Sequence, residues 1–111
     1  MNKKFIITKN TEIQSIIKKG KKLISKYFII YFIENNIDYN RYCISVSKKI
    51  GNAVIRNKQK RTVKEIIRKN NIKDSKNYVI ILRKEILNIN YQEKERELIN
   101  LIKGENKWRK K

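Results

Sequence analysis

The chain has no histidine, no proline, one cysteine and three glycines among its 111 residues. Each shortage excludes something. Without histidine, the side chain most often used for general acid–base work and metal ligation is missing. Cys43 stands alone, so there is no internal disulfide and no Cys/His zinc site. A single cysteine in an apolar setting reads as a buried filler in a reducing cytosol. The lack of proline and the few glycines leave nothing that resembles a flexible linker, so one domain over residues 1–111 is expected. Acidic residues number only ten, and Glu12, Glu34, Asp38, Glu65 and Asp74 are scattered rather than paired. No catalytic residue and no protein-held metal is expected. The stretch GNAVIRNK lacks the second glycine, lysine and hydroxyl residue of a phosphate-binding loop. The start MNKKFIITKN has an apolar run of three residues, and no run approaches a membrane span. A soluble, cytoplasmic protein is the expectation.

What the chain has in excess is positive charge. It carries 29 basic residues and a formal net charge of +19. Self-repulsion on that scale destabilises a compact state unless a polyanion neutralises it. Isoleucine, lysine and asparagine crowd the sequence in the manner of AT-rich coding, so part of the lysine is background. Arginine runs against that bias and is the sharper signal. There are seven: Arg41, Arg56, Arg61, Arg68, Arg83, Arg96 and Arg109. Three fall within GNAVIRNKQKRTVKEIIRKN, Gly51 to Asn70.

Periodicity supplies the elements. Ile13, Ile16 and Ile17 have helical spacing, with Asn10 or Thr11 as cap and Gly20 as stop. KYFIIYFIE is a strand with Phe28, Ile30 and Phe32 on one face and Tyr27, Ile29, Tyr31 and Ile33 on the other. RYCISVS is the next strand, and the two are expected to form an antiparallel hairpin, with a small extra strand near KKLIS. A basic helix capped by Asn52, the strand YVIILR and a final helix through Leu98, Leu101 and Ile102 complete the order. Gly104 is expected to cap or interrupt the last helix, and Trp108 to pack on it. The class is α+β, with helices on one face of a small, mostly antiparallel sheet.

The basic helix is the informative element. With Arg56 set at zero, Lys60, Lys64, Asn57, Arg68 and Arg61 fall at roughly 40°, 80°, 100°, 120° and 140° around the axis. Ile55, Ile66, Val63 and Ile67 fall at roughly 260°, 280°, 340° and 20°, an apolar side fit for a sheet. From Arg41 to Asn70 there are ten basic residues and one acidic residue, Glu65. One reading is a solvated helix face. Such a face ordinarily mixes signs, because like charges four apart destabilise a helix by about 0.2–0.5 kcal/mol per pair. Here Arg56–Lys60, Lys60–Lys64 and Lys64–Arg68 are all like pairs, and only Arg61–Glu65 is favourable. Arg56 and Lys58 also sit near the helix start, where the partial positive charge of the backbone disfavours cations. Both features fit an anion-binding face, since open backbone amides at a helix start take phosphate. Lys48 and Lys49 extend the patch, and Tyr31 on an open strand face reads equally as an ordinary half-exposed tyrosine or as a stacking surface for unpaired bases.

SVSKKIGNAVIRNKQKRTVKE resembles the signature of the bacterial ribonuclease P protein subunit: a Lys-Lys and Gly-Asn-Ala-Val lead-in before an arginine-rich helix. Looser similarity covers nearly the whole chain. The resemblance implies a ribosomal-protein-like α/β sandwich with a left-handed β-α-β crossover, an exception to the usual handedness. It implies a protein cofactor of an RNA enzyme that removes the 5′ leader from precursor tRNA by magnesium-dependent hydrolysis. The metal would be held mainly by the RNA, and the protein would be a monomer in a 1:1 complex with it. The RNA-facing residues expected are Lys48, Lys49, Asn52, Arg56, Asn57, Lys58, Lys60, Arg61, Lys64 and Arg68, and of these Arg56, Asn57, Lys60 and Arg61 match the family's helix motif. Lys58 and Lys64 stand where the family usually has arginine and lack its bidentate fork. Ile13, Ile17, Tyr31 and Ser45 match positions of a cleft for the single-stranded leader, with the two isoleucines in place of the usual aromatics. The rival function on charge alone is a structural ribosomal or rRNA-binding protein without a substrate role.

Overall fold

Every position of FIIYFIE but the last is β-branched or aromatic, a composition suited to a pleated surface covered on both sides. In the computed structural model, which describes residues 3–109, this run is β2, Phe28–Glu34. It lies in a four-stranded sheet with β1 (Lys21–Ile24), β3 (Arg41–Val46) and β4 (Lys76–Leu82), in the order β1-β2-β4-β3. β1–β2 and β2–β4 are antiparallel, while β3–β4 is parallel. Three α-helices accompany the sheet: α1 (Asn10–Lys19), α2 (Ala53–Asn70) and α3 (Tyr91–Arg109). The architecture is α+β with a mixed sheet, antiparallel in two of its three pairings.

The expected β2–β3 hairpin does not form. β4 inserts between them, and β3 instead runs parallel to β4 with α2 as the crossover. The reason is burial. Asn77 to Ile80 are four consecutive buried residues, a run that needs neighbours on both edges and cover on both faces. β3 carries the exposed Ser45 and tolerates the edge. The small strand near KKLIS is present as β1.

Strand alternation separates two apolar layers. Phe28, Ile30 and Phe32 join Tyr42, Tyr78, Ile80 and Leu82 beneath Val63, Ile66 and Ile67 of α2 and Leu98, Ile99 and Ile102 of α3. On the reverse face Val79 packs with Ile7 and with Ile16 of α1, bordered by Ile13, Ile17, Tyr31, Ile33, Cys43 and Ile81. The expectation of helices on one face is therefore corrected: α2 and α3 share a face, and α1 covers the other. The reverse faces of β2 and β4 are apolar too and would otherwise stand in water.

Local signals account for most element ends. The Asn52 side chain accepts a hydrogen bond from the Ile55 amide at 3.0 Å and caps α2. Gly20 ends α1, its amide donating to Ile16 O at 2.7 Å. A Cβ there would lie 2.7 Å from the Phe32 carbonyl oxygen, so the close approach of α1 to β2 requires glycine. At the start of α1 the capping position is Lys9, without a side-chain cap, so neither Asn10 nor Thr11 serves. α3 runs through Gly104 without interruption. The expected packing of the Trp108 side chain lies outside the described residues.

Candidate nucleic-acid interface

α2 presents two flanks of different character. One lies against α3 and carries both signs. There Tyr91 Oη donates to Glu65 Oε1 at 3.3 Å, and Lys69 pairs with Glu95 at 3.4 Å. Lys94 Nζ donates to Gln59 Oε1 at 2.9 Å. Burial, and then the nearby charge of Lys58, lower the affinity of Lys94 for its proton. Glu65 is thus turned toward α3, and no Arg61–Glu65 ion pair forms. The other flank, with Arg56, Lys60, Lys64, Arg68 and Arg61, has no ion pair among the described residues.

That flank leans over the β3 edge. Lys60 and Lys64 line a recess of about 160 Å³ with Ile6, Ile7, Cys43 and Ile44. Cys43 is half-buried rather than fully enclosed; burial pushes its thiol up, and the charge of Lys60 opposes this. Arg56 is half-buried, and its buried Nε has no partner among the described residues. Lys48 and Lys49 project from the turn Lys48–Ile50 just ahead of α2. Asn52 spends one oxygen on the cap, and the Ala53 and Val54 amides have no acceptor among the described residues. Asn57 and Lys58 are exposed, Lys58 on the α3 side.

One feature of α2 escapes a helical wheel. Ile55, expected against the sheet, is 37% exposed; its side chain lies against Gly51 instead. Gln59 takes the interior place at 6% exposure. On the same wheel Gln59 falls at roughly 300°, between Ile66 and Val63, so its period places it inside; Lys94 of α3 satisfies its amide oxygen there.

The second region is the reverse face of the sheet. One row crosses Lys22, Tyr31, Val79 and Cys43, and the next crosses Ile24, Ile29, Ile81 and Ser45. α1 roofs the first row through Ile13, Ile16 and Ile17. Toward the second row the face is more open: Ile24 and Ser45 are exposed, Ile29 and Ile81 half-buried. The result is a trough beside α1. Ile13, Ile17 and Tyr31 share one cluster, whereas Ser45 lies one row away on the β3 edge. Sequence reading missed Lys22, whose ammonium lies 5.6 Å from the Tyr31 ring centroid. It also missed Arg41, paired with Glu12 at 2.8 Å, which ties α1 to β3.

The sequence pattern of the Ribonuclease P family matches residues 1–105. This chain belongs to the ribonuclease P protein family. A ribonuclease P protein component from Mycoplasma mycoides is 45% identical over 107 residues, spanning 93% of this chain and 97% of that one. Two solved structures are also similar. A mutant RNase P protein from Staphylococcus aureus superposes with a TM-score of 0.85 at 36% identity, covering 91% of this chain and 87% of its own. The RNase P protein from Thermotoga maritima superposes with a TM-score of 0.80 at 36% identity, covering 86% and 92%. Family membership implies a role within the ribonuclease P holoenzyme, partnership with its RNA and a part in tRNA processing. As a family member the chain has two surfaces to assign, the cationic flank and the trough. No helix among the described residues is long and apolar enough to cross a membrane.

Proposed function

We propose that this chain is the protein cofactor of a ribonuclease P whose catalyst is the RNA. It binds that RNA through the open flank of α2 and holds the single-stranded 5′ leader of precursor tRNA in the trough beside α1. The observation that carries the reading is the division of α2: its acidic residue faces α3, and the opposite flank keeps cations without acidic partners among the described residues. A flank of one sign, beside open amides at a helix start, suits a phosphate backbone. Arginine gives forked contacts and lysine gives point charges, so Arg56 and Arg61 supply direction while Lys60 and Lys64 supply attraction. In the trough, Tyr31 offers a ring to a base, Ile13 and Ile17 offer apolar contact, and Ser45 offers a hydroxyl at the open edge. Lys22 above Tyr31 attracts the leader phosphates.

The protein's share is position and affinity. The hydrolysis depends on magnesium, and the described residues do not fit it: they include no cluster of three acidic, cysteine or histidine side chains. We assign the metal to the RNA and its phosphates, and no step to a protein side chain. The working unit is one protein per RNA, in the cytoplasm. The test is reconstitution with ribonuclease P RNA and precursor tRNA at low magnesium. The protein is expected to raise both substrate affinity and cleavage at the 5′ end of the mature tRNA. An unchanged reaction would assign the chain to RNA binding without a substrate role, and cleavage by protein alone would make it a nuclease in its own right.

A further inference from the structure

A groove of about 370 Å³ opens at the opposite end of the sheet from the start of α2, apart from the trough. Three separate segments build it: the turn Lys3–Phe5, the loop entering β3, and the exit of α2. Phe5 and Tyr39 meet edge to face with ring centroids 5.3 Å apart. The Lys4 ammonium lies 5.0 Å from each centroid. Arg68 and Lys73 stand on the α2 side, where Asn71 at φ 49° turns the chain sharply out of the helix. Asp38 is the one acidic side chain of the lining.

This combination selects its ligand. Rings brought together by segments distant in sequence offer stacking surface to a flat aromatic group. The surplus of cations over Asp38 favours an aromatic group that carries phosphate. The Asp38 carboxylate supplies an acceptor for amino or imino hydrogens at a base edge. Arg68 also belongs to the open flank of α2, about 18 Å along the axis from Arg56. A strand bound along that flank therefore arrives at the groove. We propose that the groove takes one unpaired nucleotide of the bound RNA, its base against Phe5 and Tyr39 and its phosphate against Arg68 and Lys73. The proposal rests on the RNA-binding role given to α2.

The test has two arms, both on the full chain. In the first, amide NMR spectra are recorded while GMP, UMP, ribose 5-phosphate or inorganic phosphate is added at fixed ionic strength. The nucleotides are expected to shift Phe5, Tyr39 and residues 71–73, saturably, whereas ribose 5-phosphate and inorganic phosphate, which lack the base, are expected to leave Phe5 and Tyr39 in place. Tyr39→Leu should abolish the shifts, whereas Tyr39→Phe keeps them. Equal shifts of Phe5 and Tyr39 with ribose 5-phosphate, or no shift of these two with the nucleotides, would overturn the proposal. In the second arm, Tyr39→Leu is expected to weaken binding of ribonuclease P RNA about 5- to 100-fold with an unchanged salt slope, because stacking releases no counterions. If Tyr39→Leu binds like the native chain while Arg56→Ala binds less tightly, the groove fails and the role of α2 stands. If neither substitution matters, both fail. Dispersed spectra establish that each variant is folded, and Lys73→Ala, which leaves the aromatic pair intact, should weaken nucleotide binding in the same assay.

Discussion

Asn40 is 3% exposed, and its side chain makes four hydrogen bonds. Its Nδ2 donates to Tyr42 Oη at 3.1 Å and to Ile72 O at 3.0 Å. Its Oδ1 accepts from the amides of Asp74 at 3.2 Å and Lys76 at 3.0 Å. One side chain thus fastens the start of β3 to the loop that delivers β4. Beside it Tyr42 stacks on Tyr78 with ring centroids 5.4 Å apart, and burial pushes the Tyr42 hydroxyl up to about 12. A buried polar group left without its partner costs about 1–3 kcal/mol. Asn40→Ala strands several such groups, with partial rescue by water, so we expect a loss of about 3 kcal/mol. Urea unfolding in sulfate buffer checks this: the midpoint should fall with the slope unchanged. A loss below about 1 kcal/mol would mean that water replaces the side chain. Nothing in NNIDYNRY distinguishes Asn40 from the exposed Asn36; its burial depends on the distant loop that closes over it.

At the scale of elements, α2 sorts its charges by flank, and the sorting is measurable. Removing one cation that neutralises a phosphate lowers the dependence of log K on log salt by about one. We expect Arg56→Ala and Arg61→Ala each to reduce the slope for ribonuclease P RNA by about one, measured between low and moderate salt. Lys69→Ala should leave it unchanged, because Lys69 is engaged with Glu95 and the Tyr91 ring. A slope unaffected by Arg56→Ala would remove that residue from the interface. The division of α2 was largely legible, since a 3.6-residue period places residues around an axis without knowledge of the rest. The faces of β2 were legible from a period of two in the same way. Strand order was not. Whether β2 pairs with β3 or β4 depends on which run is buried on both sides, and that is decided by packing across the whole sheet. The side taken by α1 was hidden for the same reason: its isoleucine stripe fits either apolar face. Ile13 and Ile17 entered the candidate site through resemblance to a family, Tyr31 also through its place on an open strand face, and the fold brings those three into one cluster.

At the scale of the molecule, the charge of +19 is opposed by little inside the chain. Among the described residues there are three ion pairs, and each has a partly exposed partner. Pairs of that kind contribute at most about 1 kcal/mol each. Folding must therefore gather cations on one flank of α2 that the unfolded chain keeps apart. An anion that binds only the folded flank reverses this term, by about 2.7 kcal/mol at a hundredfold excess over its Kd. We expect the chain to be poorly folded at low ionic strength and to recover with sulfate or phosphate, as followed by circular dichroism. The comparison that decides the mechanism is chloride at matched ionic strength. Screening alone would make the two salts equivalent. Binding at the α2 flank makes the divalent anion effective at lower concentration, and the advantage should shrink in Arg56→Ala and Arg61→Ala. If sulfate retains its full advantage in those variants, the anions act elsewhere. If no anion restores structure, the charge is tolerated by the fold and does not govern it.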